Sequence, residues 1–185
     1  MITTILLDID RTLVHAIHTH LIHEEWKTKY ETFDFDEYTV FIRPNLYTFL
    51  DYLFKTGCKI GLYTAGDREY AEFIRDTIFT PRGYYLDCLF SQSECINRGD
   101  TICLTKSLHL IGRRLQTSPK QLLLIDDSSA IKRDITAEMD GYEDHCYLVR
   151  KFVVCLDGSN TFIPQMVEED GLLVCMREIS KLLLK

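Results

Sequence analysis

Two apolar runs in this chain end on paired carboxylates. Ile2 to Leu7 runs into Asp8, with Asp10 two residues on, and Gln121 to Ile125 runs into Asp126-Asp127. Between them, Lys59 to Tyr63 runs into Thr64, and Lys106 stands at the start of an amphipathic stretch. Singly, each is an ordinary polar cap on a strand or helix. Jointly they offer hard oxygen donors, which suit a magnesium-like cation, and a hydroxyl and an ammonium, which suit an anion.

The surrounding elements bring these positions together. Ile2–Leu7, Lys59–Tyr63 and Gln121–Ile125 are short runs bounded by polar residues, the pattern of strands buried on both faces. Helical spacing fills the intervals. Pro44-Asn45 opens a helix with Leu46, Phe49, Leu50, Leu53 and Phe54 on one face and Gly57 just past its end. A second begins near Asp67, with Tyr70, Phe73, Ile74, Thr77 and Ile78 as its stripe. A third is expected from Leu104 to Leu115 with Lys106 at its start, and a last one from Leu172 to Leu184. Ser128 or Ser129 would cap the helix after Asp127, and Tyr147–Val149 reads as a further strand. Phe33, Phe35, Tyr38, Val40 and Ile42 alternate around Asp36-Glu37, as in a β-hairpin. Strands alternating with helices give an α/β fold, a Rossmann-like parallel sheet covered on both faces. Ligands of such sheets bind beyond the carboxyl ends of the strands, where Asp8, Asp10, Thr64, Asp126 and Asp127 all fall.

Asp8-Ile9-Asp10-Arg11-Thr12-Leu13-Val14 resembles the D-x-D-x-T nucleophile motif of the haloacid-dehalogenase (HAD) superfamily. Tyr63-Thr64-Ala65-Gly66, Lys106 and Leu124-Ile125-Asp126-Asp127-Ser128 resemble its later motifs in the same order. Arg43-Pro44, and Ile111-Gly112-Arg113 after Lys106, are similar to the branch typified by small phosphatases of the RNA polymerase C-terminal domain. Two departures stand out. Arg11 occupies a position where that branch commonly has Glu or Gly, and Leu89-Phe90 continues as Ser91-Gln92-Ser93 without the branch's arginine.

The resemblance implies a Mg²⁺-dependent phosphatase that passes through an aspartyl-phosphate. Asp8 would be the nucleophile, and Asp10 the acid that protonates the leaving oxygen and then the base that activates water. Asp8, the Asp10 backbone carbonyl, Asp126 and Asp127 would hold the metal. Thr64, the Ala65 backbone N–H and Lys106 would hold phosphoryl oxygens. The two carboxyls need different environments, one ionised and the other with a raised pKa. A phosphate monoester carries nearly two negative charges at neutral pH, so a carboxylate can attack it only when that charge is screened.

The intervals Asp10–Thr64 and Thr64–Lys106 are too short for a further domain, which needs about 50 residues of its own. Residues 1–185 are therefore expected to form one HAD-like domain without a large cap and with a small β flap at about 15–41. An open mouth favours a phosphorylated protein side chain as substrate. Phosphotyrosine and phosphoserine/threonine are not separated by these residues. Two rival readings are a catalytically dead phosphopeptide-binding scaffold and a phosphatase of nucleic-acid ends or small metabolites.

Composition narrows the field. The chain has 185 residues, 46% hydrophobic, and a net charge of −7, which disfavours nucleic acid as a partner. No apolar run reaches the roughly 18 residues of a membrane span. Seven cysteines without a C-x-x-C pair point to reduced thiols packed in a core, in a cytoplasmic-type reducing compartment. His15, His18, His20 and His23 lack the flanking cysteines and repeat of a zinc site and read as part of a solvated flap. Arg113-Arg114 and Lys132-Arg133 read as solvated faces. Trp26, Tyr30, Phe33 and Phe35 read as flap packing, the alternative being an aromatic wall facing substrate. Leu182-Leu183-Leu184-Lys185 leaves room for further domains beyond it.

Overall fold

A computed structural model describes residues 1–97, 104–141, 143–154 and 170–184. Its centre is a five-stranded sheet, parallel throughout. The strands are β1 (Thr4–Leu7), β5 (Lys59–Tyr63), β6 (Cys88–Phe90), β9 (Leu122–Asp126) and β10 (Cys146–Leu148), in the order β10-β9-β1-β5-β6. Every residue of β1 and β9 is buried, which explains why their sequences are nearly continuous apolar runs.

Side chains alternate across this sheet and divide its core in two. Ile5, Leu7, Ile60, Leu62, Leu123 and Ile125 pack with α2 (Leu46–Lys55), α3 (Arg68–Ile74) and α6 (Gly171–Leu183). Leu6, Tyr63, Leu122 and Leu124 pack with α4 (Leu108–Leu115) and α5 (Ser129–Glu138) on the other face. The expected stripe of α2 is buried at Leu46, Phe49, Leu50 and Leu53. Gly57 follows the helix in the left-handed region, at φ 77°. Asp67 caps α3 by accepting the Tyr70 N–H at 2.7 Å, and the helix then widens into a π turn over Arg75–Phe79. Ser128, not Ser129, caps α5.

The flap is a second, antiparallel sheet of three strands: β2 (Val14–His18), β3 (Thr32–Phe35) and β4 (Tyr38–Ile42), with β4 in the middle. The β3–β4 hairpin turns at Asp36, whose φ is 49°. A short α1 (Glu24–Lys27) sits between β2 and β3. Trp26 and Phe41 are buried with Ile17, Phe152 and Val154. Phe35 packs on Tyr70 and Phe73, with ring centroids 5.4 and 4.7 Å away. These aromatics are flap packing.

Several elements differ from the sequence reading. The third helix does not begin at Leu104. Leu104–Thr105 form β8, paired antiparallel with β7 (Ile96–Asn97), and Ser107 caps α4 by accepting the Leu110 N–H. Lys106 therefore lies in the turn between strand and helix. The last strand begins at Cys146 and ends at Leu148, one residue earlier than expected. The edge strand β6 has no counterpart in the reading, because three residues leave no periodicity. Of the cysteines, 58, 88, 95, 146 and 175 are unpaired thiols, while 103 and 155 lie outside the described residues.

Candidate active site

The strand order reverses direction at β1. The chain runs β1, β5, β6 to one side and then returns to β9 and β10 on the other. Asp8 and Asp10 leave β1 at this switch point, beside Asp126 and Asp127 from β9. Asp8 continues the sheet by one bond, its N–H donating to the Ile125 carbonyl at 2.9 Å. The chain then coils back on itself. Leu13 and Val14 N–H both donate to the Ile9 carbonyl, and Arg11, at φ 61°, donates its N–H to Val14 at 2.6 Å. This coil aims Asp8 and Asp10 at the same end of the sheet.

The side-chain bonds at Asp8 are fully directional. Thr12 donates its hydroxyl to Asp8 Oδ2 at 2.9 Å, and Lys106 Nζ donates to Asp8 Oδ1 at 2.5 Å. The same ammonium donates to Asp126 Oδ2 at 2.7 Å, and Ser128 N–H donates to Asp126 Oδ1 at 2.8 Å. Lys106 is only 4% exposed. Burial opposes its charge, but Asp8 and Asp126 hold its pKa above the usual lysine range. Burial pushes the Asp8 carboxyl up to about 7; Lys106 pulls against the rise and Asp126 adds to it. Burial also raises Asp127, with Asp126 contributing.

Three carboxylates at this spacing fit a divalent cation. One oxygen from each of Asp8, Asp126 and Asp127 lies within 4.8 Å of the others. Oxygens sharing one small six-coordinate cation lie somewhat closer than this, so a modest side-chain adjustment would close the set. The carboxylates repel one another, and one lysine shared between Asp8 and Asp126 leaves negative charge that a cation would neutralise. The expected contribution of Asp10 to this site is its backbone carbonyl. Its carboxyl is turned elsewhere, accepting the Tyr70 hydroxyl at 3.0 Å. Burial raises the Asp10 pKa, and the Tyr70 bond works against that rise. The two carboxyls of the motif thus have different partners, Lys106 and Thr12 for Asp8 and Tyr70 for Asp10, but burial raises both, where the sequence reading expects one to be ionised and only the other raised.

Thr64, Ala65 and Gly66 face this cluster across a cavity of about 500 Å³. The Thr64 hydroxyl oxygen accepts the Gly66 N–H at 3.0 Å, which holds the turn tight after β5. All seven residues expected from the sequence (Asp8, Asp10, Thr64, Ala65, Lys106, Asp126, Asp127) line this one cavity.

Residues 3–146 match the NLI interacting factor-like phosphatase family. The chain belongs to that family. A CTD phosphatase-like protein of Invertebrate iridescent virus 3, 355R, is 37% identical over 82 residues, covering 41% of this chain and 44% of the viral protein. Among solved structures, the fission yeast RNA polymerase II CTD phosphatase Fcp1 bound to beryllium fluoride superposes with a TM-score of 0.60 at 16% identity. That match covers 98% of this chain and 52% of Fcp1. A HAD family enzyme of Bacteroides thetaiotaomicron in complex with magnesium and inorganic phosphate gives 0.55 at 13% identity, over 83% and 96% of the two chains. These structural likenesses establish a HAD-type fold. The chain spans about half the length of the viral and yeast relatives.

Several residues that shape this phosphatase-family site escape the sequence reading. Tyr70 reads as core, because a buried tyrosine on an apolar stripe does not announce where its hydroxyl goes. Glu138 accepts the Leu108 N–H at 2.8 Å and bonds the Ser107 hydroxyl, and Asp134 accepts the Thr105 hydroxyl at 2.5 Å. Both lie on α5 and fix the turn that carries Lys106. Lys151, in a segment without periodicity, reaches the cavity and stands 3.8 Å from Asp127. The four flap histidines do not converge: His15 accepts the Val154 N–H, His23 lies against Trp26, and His18 against Tyr38 and His20.

Proposed function

We propose that this protein is a Mg²⁺-dependent phosphatase of phosphorylated protein side chains, with Asp8 as nucleophile. One observation carries the reading. Asp8 lies within one cation's reach of Asp126 and Asp127 and shares Lys106 with Asp126, while the Asp10 carboxyl stands apart on Tyr70.

The chemistry follows from that division. Asp8, Asp126 and Asp127 would hold magnesium, which would supply charge screening at the phosphoryl oxygens. The Asp8 oxygen attacks phosphorus and the bond to the leaving oxygen breaks. Asp10, whose carboxyl burial biases toward the protonated form, gives its proton to that oxygen. It then takes a proton from the water that hydrolyses the aspartyl-phosphate, and Asp8 is regenerated. Lys106, Thr64 and the Ala65 N–H hold phosphoryl oxygens against the growing charge. Thr12 orients Asp8 from its far side. Among the described residues no further domain covers the cavity beside the flap, which suits a side chain presented on a protein. The unpaired thiols at 58, 88, 95, 146 and 175 suit a reducing, cytoplasmic-type compartment.

The test is hydrolysis of an aryl phosphate and of phosphoserine, phosphothreonine and phosphotyrosine peptides, with Mg²⁺ and with EDTA. Turnover is expected only with the cation, and Asp8→Asn is expected to remove it by at least about 10³-fold. Peptide binding without turnover by the wild-type protein would make the scaffold reading correct instead.

A further inference from the structure

The mouth of the catalytic cavity carries two cations that the hydrolytic steps above do not use. Arg11 directly follows Asp10, and Lys151 comes from the segment after β10; both line the cavity. Lys151 is about half exposed, and the ion pair shown for it is the long one to Asp127, 3.8 Å. Among the described residues the Arg11 guanidinium has no hydrogen-bond or ion-pair partner, and it is exposed. Neither charge is therefore spent on a short, buried ion pair, as the charge of Lys106 is.

Both residues are held firmly in place by their backbones. Arg11 sits in the left-handed region at φ 61°, which costs a non-glycine residue about 1–2 kcal/mol. Glycine would remove that cost, yet an arginine is present. Its N–H donates to Val14 at 2.6 Å, and its carbonyl accepts the Phe152 N–H at 2.7 Å. That second bond ties the Arg11 turn to the segment bearing Lys151. The same segment is pinned at three further points. Val149 N–H donates to the Asp126 carbonyl at 2.9 Å, Arg43 Nη2 donates to the Arg150 carbonyl at 2.7 Å, and Val154 N–H donates to His15 at 3.0 Å. Phe152 is buried under the flap. The two cations thus sit on adjacent, mutually bonded stretches of backbone at one rim.

The cavity, about 500 Å³, is of the size that holds a whole ligand rather than one tetrahedral anion. A protein with a net charge of −7 would ordinarily repel a substrate carrying several negative charges. Two cations at the rim offset that locally, against the carboxyls that line the same cavity. We propose that Arg11 and Lys151 form a second anion subsite that selects phosphorylated peptides bearing another negative group, a carboxylate or a second phosphate, next to the phosphate being cleaved. The proposal rests on the hydrolase reading and names its substrate class.

The experiment uses three phosphopeptide versions at saturating Mg²⁺: neutral neighbours, Asp or Glu neighbours, and a second phosphoserine. An aryl phosphate without a second anion serves as the control. Wild-type kcat/KM is expected to rise about three- to tenfold from the neutral to each anionic peptide. The gain should sit mainly in KM and shrink with added salt. The two anionic peptides tell a carboxylate-reading site from a phosphate-reading one. Arg11→Gly, which the left-handed backbone accepts, combined with Lys151→Gln should erase the gain. Aryl phosphate turnover should stay within about twofold. Equal rates on neutral and anionic peptides, or an equal loss on every substrate including the control, would overturn the proposal.

Binding separates this from a failure of the hydrolase reading. Peptide Kd values are measured by fluorescence anisotropy on Asp8→Asn, and on Asp8→Asn with both rim changes. If nothing turns over, a preference of the Asp8→Asn protein for the anionic peptides, lost on changing the rim, still supports the subsite. Absence of that preference overturns it.

Discussion

Tyr70 sets how tightly Asp10 holds its proton. Its hydroxyl donates to Asp10 and so favours the charged carboxylate, partly offsetting the rise caused by burial. Tyr70→Phe keeps the ring against Phe35 but removes the donor, so the Asp10 pKa moves further up. If Asp10 must be protonated to assist the leaving group, the alkaline limb of kcat/KM on an alkyl phosphate moves to higher pH. A pH–rate profile of both proteins checks this, and a limb displaced to lower pH would refute the assignment of Asp10 as acid. Asp8 bears on stability with its own sign. Its folded pKa is about 7 against an ordinary 3.8. Between those values the folded protein keeps a proton that the unfolded chain gives up, so stability falls as pH rises through that window. In EDTA the melting temperature should fall from pH 5 to 7.5, and Asp8→Asn should flatten that slope and raise the value at pH 7. Saturating Mg²⁺ should also flatten it, because a bound cation favours the ionised form.

Among the elements, β5 and β6 approach more closely than a side chain on Gly61 would allow. A Cβ there would lie 2.3 Å from Cys88 Sγ and 2.9 Å from the Cys88 carbonyl oxygen. Gly61→Ala should destabilise by about 1–3 kcal/mol, measured by urea unfolding. Adding Cys88→Ala should recover only part of this, since the carbonyl remains; full recovery would mean the strands separate easily. This pair also marks where sequence alone stops being informative. β1, β5 and β9 are legible because burial on both faces writes a continuous apolar run, and all three are parallel, so their polar terminal residues meet at one end. β6 and β8, at three and two residues, are too short for any period. The regular spacing Leu104, Leu108, Ile111, Leu115 extends the helix backward over β8, and only the Ser107 cap and the β7 pairing correct it. Lys151 is illegible for another reason: hydrogen bonds from distant backbone, not a local pattern, put it at the cavity.

At the scale of the whole molecule, Arg43 joins regions far apart in sequence. It is 2% exposed and donates Nη1 to the Thr12 carbonyl at 2.9 Å as well as Nη2 to Arg150. Thr12 in turn holds Asp8, so the guanidinium links the Asp8 loop to the segment after β10. Gly171 opens α6 directly against it: a Cβ there would lie 2.2 Å from Arg43 Nη2. Gly171→Ala should cost about 1–3 kcal/mol of stability and also lower kcat, because the displaced guanidinium no longer fixes Thr12. Chemical unfolding and steady-state kinetics on the same protein test both parts. Lost stability with unchanged kcat would show that Arg43 serves the fold alone.

The central place of β1 has a consequence for how the chain is made. Thr4 is paired on one side with Lys59 and on the other with Leu122. A chain that stops growing before residue 122 would leave one whole side of β1 open, an apolar edge able to pair with another copy. It would also lack Asp126 and Asp127. Premature termination would therefore yield a sticky product without the carboxylate cluster, and translation of the later strands is what makes the earliest one safe.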